Sequence, residues 1–423
     1  MTTRRQAICN WPLAIFTLLV GGVGLVNLSS AARTAESNLA LTQGIWFAAG
    51  ILLALVLSRI DYRIFDKLAY PLWLLNLLLL GAVLVAGRVI SGSQRWLHLG
   101  PVNFQPSELA KLTLILALAK YFNDERDLPA RGYTLLGLAK PSSILYPVGA
   151  AGGLLLFWEH LPLAVSLRLV LLGGCLVWGT ASFLVAIRSG RTGLHDLLSP
   201  VILLALPSVL ILRQPDLGTT LVLAAIAGTM ALFVKIRWTS LLLAVVIAVS
   251  AATSAWFFLL EDYQKRRVTA FLNPGSDIKR SGYHAWQSRI AVGSGQLHGK
   301  GYQQSTQTRF RFLPEQHTDF VFSVWAEEWG FLGCLGVVLL FFFWQLQLLN
   351  TAALARERLG VFMAVGFTAM VFWHTTVNVG MVIGLLPVVG ITLPLWSYGG
   401  SSVLIIMMGV GILQSISLRS HTF

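Results

Sequence analysis

The chain has 423 residues, of which 56% are hydrophobic and only 12% charged, with a mean hydropathy of +0.72. Soluble globular domains carry about 25% charged residues, so an ordinary water-soluble enzyme is excluded, as are disordered, collagen-like and low-complexity chains. The net charge of +13 reads as loop bias and contact with anionic membrane lipids, with no nucleic-acid partner implied. Cys9, Cys175 and Cys334 are scattered, without CxxC or metal-ligand spacing, which argues against a disulfide framework or zinc site.

Apolar segments at about 13–30, 41–58, 70–87, 109–122, 142–158, 163–187, 198–213, 217–234, 239–260, 321–349, 360–386 and 400–418 give about twelve candidate spans. The first resembles a signal peptide, since Arg4 and Arg5 precede its apolar core, but the spans behind it favour a retained helix. The expected fold is an all-α polytopic membrane protein, a single membrane domain over 1–423. Alternating from a cytoplasmic N-terminus, inside loops collect sixteen Lys and Arg between Arg4 and Arg419. The short outside loops collect only Arg33, Arg88, Arg95 and Arg213. Both termini are therefore expected in the cytoplasm.

The one long loop, about 261–320, falls outside and holds nine Lys/Arg against five acids. Long loops translocate largely regardless of charge, and a basic external loop suits an anionic partner at the outer surface. GSGQLHGKGY within it fails as a Walker loop, because Gly301 follows Lys300 where Ser or Thr is needed. The cytoplasmic stretches leave no room for a nucleotide-binding domain, so energy must come from a substrate or a gradient.

Four polar clusters stand where charge is costly, all assigned to the outer half of the membrane. In GSQRWLHLGPVNFQPSELAK, Pro106 suits a first helical turn, after which Ser107, Glu108 and Lys111 share a face. Glu108 and Lys111 read equally as a self-neutralising pair, and Trp96 as an interfacial belt residue. In RQPDLGTT, Asp216 reads first as the N-cap of the next span. In RFRFLPEQHTDFVFSVWAEEWG, Asp319, Ser323 and Glu327 recur at i, i+4 and i+8, which would set two carboxylates about 12 Å apart on one helix face. Asp319 stands level between general base and cap. In NVGMVIGLLPVVGITLPLWSYGGSS, small residues with Pro387 and Pro394 point to irregular, re-entrant chain lining a cavity. His374 and Asn378, at i and i+4 on the helix before it, read as interhelical hydrogen-bonding residues.

These blocks, with GYHAWQSRIAVGSGQLHGKGY and FLPEQHTDFVFSVWAEEWGFLG, resemble the signature segments of the SEDS family (shape, elongation, division and sporulation), and more its RodA branch than its FtsW branch. The resemblance covers the chain except about 123–200, with the blocks in the family's order. It implies a peptidoglycan glycosyltransferase that polymerises lipid II at the outer face of the bacterial cytoplasmic membrane, alongside a class B penicillin-binding protein that crosslinks the product. It implies Asp319 as the catalytic acid residue and Trp96, Glu108, Lys111 and Asp216 as supporting motif residues. Arg95 and Lys111 are candidates for stabilising the leaving diphosphate; Glu327 and Ser397, from the later blocks, complete the candidate site. No cofactor is certain: carboxylates near a diphosphate suit a divalent cation, but no ligand set is recognisable. A lipid II flippase or transporter and a non-catalytic scaffold for the transpeptidase are the rival functions. The chain departs from the family's bundle of about ten spans at 123–200, where segments 142–158 and 163–187 read as an inserted hairpin, with a re-entrant form as the alternative.

Overall fold

The computed structural model describes residues 9–33, 38–90, 93–99, 102–127, 194–234, 265, 283–310 and 316–420. Helices run over Trp11–Ala31 (α1), Leu39–Arg59 (α2), Ile64–Ala86 (α3), Pro106–Asp127 (α4), Leu194–Arg213 (α5), Leu217–Leu232 (α6), Tyr283–Ser294 (α7), Thr306–Arg309 (α8), Val321–Leu354 (α9), Arg358–Ile383 (α10) and Gly400–Ser420 (α11). Between α3 and α4 lie strands Arg88–Ile90 (β1), Ser93–Leu99 (β2) and Val102–Phe104 (β3). Every expected span that falls on described residues is a helix. Among these, α1, α2, α3, α9, α10 and α11 are long and apolar enough to cross a membrane, with α5 and α6 shorter apolar helices. The segments expected at 142–158, 163–187 and 239–260 lie outside the described residues.

The stretch 88–104, expected as a plain loop, is an antiparallel sheet in the order β1-β2-β3, with Arg88 opposite Trp96 and His98 opposite Asn103. Two of its strands are three residues long, too short to show a period of two in the sequence. The long loop likewise contains a helix of its own, α7.

The described residues form two compact units: α1, α2 and α7–α11 with the first turn of α6 in one, and α3, the sheet, α4, α5 and the rest of α6 in the other. In the first unit, the Asn10 side chain caps α1 by accepting from the Leu13 amide at 3.3 Å. α1 and α9 are antiparallel: the Trp344 indole donates to Thr17 Oγ1 at 3.0 Å at one end, and Ser30 donates to Glu328 at the other. α2 and α11 run side by side in the same direction, from the Gly399 amide on Gln43 Oε1 (3.1 Å) to the Arg419 guanidinium on the Arg59 carbonyl (2.9 Å). Glycine lets them approach, for a Cβ at Gly411 would collide with the backbone of Ala54. One end of this unit therefore gathers Asn10, Asp61, Arg63, Glu357 and Arg419. The other gathers Ser30, α7, Asp319 and the irregular chain 384–399.

In the second unit, Pro207 inside α5 cannot bond back to Leu203, and the Trp73 indole of α3 donates to that freed carbonyl at 3.2 Å. Lys120 of α4 bridges Asp66 (3.3 Å) and Asp124 (3.2 Å).

Candidate active site

Asp319 does not cap the helix it precedes. α9 begins at Val321, and its N-cap is Phe320, which makes no side-chain capping bond. The i, i+4, i+8 face expected for Asp319, Ser323 and Glu327 is therefore not formed, because Asp319 stands outside the helix. Ser323 instead meets Ser288 of α7 at 2.8 Å.

The Asp319 segment is held by the irregular chain after α10. The Tyr398 amide donates to the His317 carbonyl at 2.8 Å, the Ser397 hydroxyl to the Thr318 carbonyl at 2.6 Å, and Asn378 Nδ2 to the Asp319 carbonyl at 3.0 Å. Ser397 Oγ also accepts from the Leu393 amide at 2.8 Å. Its hydroxyl is thus engaged in the fold. Asn378 donates again to the Ile391 carbonyl at 2.6 Å, and His374 Nδ1 lies 3.0 Å from the Thr392 carbonyl. His374 and Asn378 thus serve non-helical backbone, a correction to the interhelical role expected of them. Orphan carbonyls in buried irregular chain need such donors, since each unmet one is costly. Gly390, at φ 75°, lies against the carboxylate: a Cβ there would stand 3.4 Å from Asp319 Oδ2. Asp319 itself is partly exposed, as a proton acceptor must be.

Glu327 is fully buried in α9. Its carboxylate accepts from Lys300 Nζ (2.6 Å), Ser305 Oγ (2.5 Å), Thr306 Oγ1 (2.6 Å), the amides of Thr306 (3.0 Å) and Gln307 (3.3 Å), and Ser294 Oγ (3.4 Å). The helix is broken beside it at Gly330, φ 63° and ψ −161°. The chain after α7 fills that break: the Lys300 and Gly301 amides donate to the Glu327 and Glu328 carbonyls, while the Phe331 and Leu332 amides donate to Gln296 and Leu297. Four groups orphaned by the break are thereby satisfied.

In the second unit, α4 starts at Pro106 as expected, and the Lys111 ammonium meets Glu108 at 2.6 Å with both side chains buried. Asp216 immediately precedes α6 and is 3% exposed. Arg95 reaches it at 3.8 Å while donating to the Gln214 carbonyl at 3.0 Å and to the Pro215 carbonyl. Trp96 is the next residue on β2. The sequence brings Arg95 and Asp216 into one region only through the sheet, which its pattern did not disclose. Among the described residues no group of three or more His, Cys, Asp or Glu side chains could hold a metal ion.

The family model described as "Cell cycle protein", built on FtsW, RodA and SpoVE, matches residues 9–155 and 171–422. The chain belongs to the FtsW/RodA/SpoVE family. It is 36% identical to the Escherichia coli peptidoglycan glycosyltransferase MrdB over 370 residues, 87% of this chain and 83% of that protein. It is 31% identical to the peptidoglycan glycosyltransferase RodA of Treponema pallidum over 443 residues, 99% of this chain and all of the relative. A solved structure described as a peptidoglycan synthase complex coordinating polymerization and crosslinking matches with a TM-score of 0.72 at 30% identity, covering 98% of this chain and 99% of that one. The crystal structure of the Thermus thermophilus rod shape determining protein RodA matches with a TM-score of 0.61 at 28% identity, with 98% of each chain covered. As a member of the FtsW/RodA/SpoVE family the chain is a multi-pass bacterial membrane protein.

Proposed function

We propose that this chain is a peptidoglycan glycosyltransferase that polymerises lipid II into glycan strands for elongation and shape, with Asp319 as general base. Its relatives over nearly its whole length carry that activity in their names. The observation that carries the residue assignment is the mooring of the Asp319 segment. A partly exposed carboxylate is set at the foot of α9 by three hydrogen bonds from α10 and the chain beyond it.

The chemistry needs little else from the protein. Undecaprenyl diphosphate is a built-in leaving group, so no nucleotide is required. The 4-hydroxyl of the acceptor GlcNAc gives its proton to the Asp319 carboxylate as its oxygen bonds to the donor's anomeric carbon. The bond from that carbon to the diphosphate oxygen breaks with inversion, and the diphosphate departs with the electron pair. Lys111, held by Glu108, and Arg95, held beside Asp216, are the cations proposed to favour that developing charge. Trp96 flanks Arg95. Glu327 and Ser397 serve the same site at one remove, by holding backbone.

In this reading the end of the first unit that carries Asp319 faces outward, and the end that carries Arg63, Glu357 and Arg419 faces the cytoplasm, with both termini. A class B penicillin-binding protein is the proposed partner, in line with the resemblance of this chain to one from a peptidoglycan synthase complex that coordinates polymerization and crosslinking. Purified protein in liposomes with labelled lipid II on one side, with and without a chelator, tests the function. Polymer is the expected product; redistribution of label without polymer would mean a flippase, and neither would mean a scaffold. Loss of polymer on chelation would add a divalent cation to the mechanism.

A further inference from the structure

Asn378 lies on α10, is 0% exposed, and spends both amide hydrogens on main-chain carbonyls: Asp319 at 3.0 Å and Ile391 at 2.6 Å. Its Oδ1 receives no hydrogen bond from the described residues. A buried amide oxygen left without a donor is unfavourable, and a smaller or apolar side chain would avoid that cost. Packing alone therefore does not account for asparagine here. What only asparagine supplies at this length is two donors at one point, aimed at two acceptors 72 positions apart in the chain.

We propose that Asn378 is a positioning residue for Asp319. By clamping the Asp319 carbonyl to the Ile391 carbonyl it fixes the backbone from which the carboxylate projects and keeps Gly390 against Oδ2. Ser397 and Tyr398 fix the two residues before Asp319, and Asn378 extends these restraints to the Asp319 carbonyl itself. This inference rests on Asp319 as the general base. A base displaced by about 1 Å loses its alignment with the attacking hydroxyl, which costs about 100-fold in turnover while the bound sugar and lipid are held as before.

The test compares wild type, Asp319→Asn, Asn378→Ala and Asn378→Asp in the lipid II polymerisation assay, with melting temperature in detergent measured beside kcat and KM. Asn378→Ala is expected to lower kcat about 100-fold with KM changed less than about twofold. Asn378→Asp has the native shape but presents acceptors to two carbonyls. Its activity relative to wild type should rise as pH falls, because a protonated carboxyl regains one donor. His374, one turn away on α10, and Asp319, whose carbonyl Asn378 holds, carry neighbouring titratable groups, so Asn378→Ala, which adds no carboxyl, is assayed at each pH beside it. A well-folded Asn378→Ala with wild-type kcat overturns the inference. So does an Asn378→Asp ratio that is flat with pH, which also decides the matter if Asn378→Ala does not fold. An active Asp319→Asn instead overturns the general-base reading, whatever Asn378 does.

Discussion

Lys111 and Glu108 meet at 2.6 Å with side chains 3% and 10% exposed, so removing either takes an opposite charge from a buried one. Lys111→Met alone should destabilise the protein by about 3–5 kcal/mol, while Lys111→Met with Glu108→Gln should recover most of that loss. Thermal melts in detergent check this, and equal melting points for the two variants would refute the pairing. Asp319→Asn should cut polymerisation about 10²–10⁴-fold with normal insertion. The N-cap position of α9 is Phe320, so the change leaves the N-cap residue in place. Wild-type turnover would end the general-base role. The Glu108–Lys111 pair was legible in the sequence because its partners stand one helical turn apart. The mooring of Asp319 was not, because its partners Asn378 and Ser397 lie 59 and about 79 positions away, and only the folded chain brings them together. Asn378 was visible as a polar residue in an apolar helix, but its acceptors were not.

At the scale of elements, hydropathy foretold the helices well and their interruptions poorly. α9 runs 34 residues, about 51 Å, and the sequence offers Gly330 within it as just another glycine. The break there matters because chain 295–301 is hydrogen-bonded into it, and Glu327 clasps Lys300 together with Ser305, Thr306 and Gln307. Gly330→Ala must adopt a conformation that side chains rarely reach, and its Cβ would strike Gly299 and Gly295. It should destabilise by at least about 1–3 kcal/mol and expose 295–310 to protease, whereas Gly336→Ala, with open space at its Cβ, should do neither. Cleavage at equal rates in both would mean the loop is not anchored by the break. At the other end, the turn between α2 and α3 buries Tyr62 under Glu357, 3.1 Å from its hydroxyl. Burial first, and the facing carboxylate second, push the phenol up to about 12 from its ordinary 10. A folded pKa above the unfolded value stabilises fully below pH ~10, and that stability is lost as pH rises toward about 12. Tyr62→Phe should flatten the melting temperature across that window; an unchanged slope would place the alkaline sensitivity elsewhere.

For the whole molecule, the arrangement of the first unit and the distribution of charge support the proposed orientation. α9 carries the chain from Asp319 at one end to Arg356 at the other, and α10 returns it to the irregular chain that moors Asp319. The Arg356 end is also where Arg59, Arg63 and Arg419 collect, and Lys and Arg mark cytoplasmic loops. The long basic loop belongs with Asp319 at the opposite end, bound to α1 through Tyr302 on Ser29 and Arg33 on the Gln303 carbonyl. Its charge runs against the rule, yet long loops are translocated despite such charge. A cysteine at the exposed Tyr302 should therefore react with an impermeant thiol reagent from outside intact cells, and a cysteine at Arg356 only after permeabilisation, in a background lacking Cys9, Cys175 and Cys334. The same reagent tests the inserted stretch, which lies outside the described residues. Arg126, Arg131 and Lys140 precede its two apolar segments and Arg188 and Arg191 come after them, so it should cross an even number of times. Cysteines at 131 and 191 should then both be shielded until permeabilisation. Labelling of one but not the other would make the crossing odd and set Arg95 and Asp216, which meet at 3.8 Å, on opposite membrane faces.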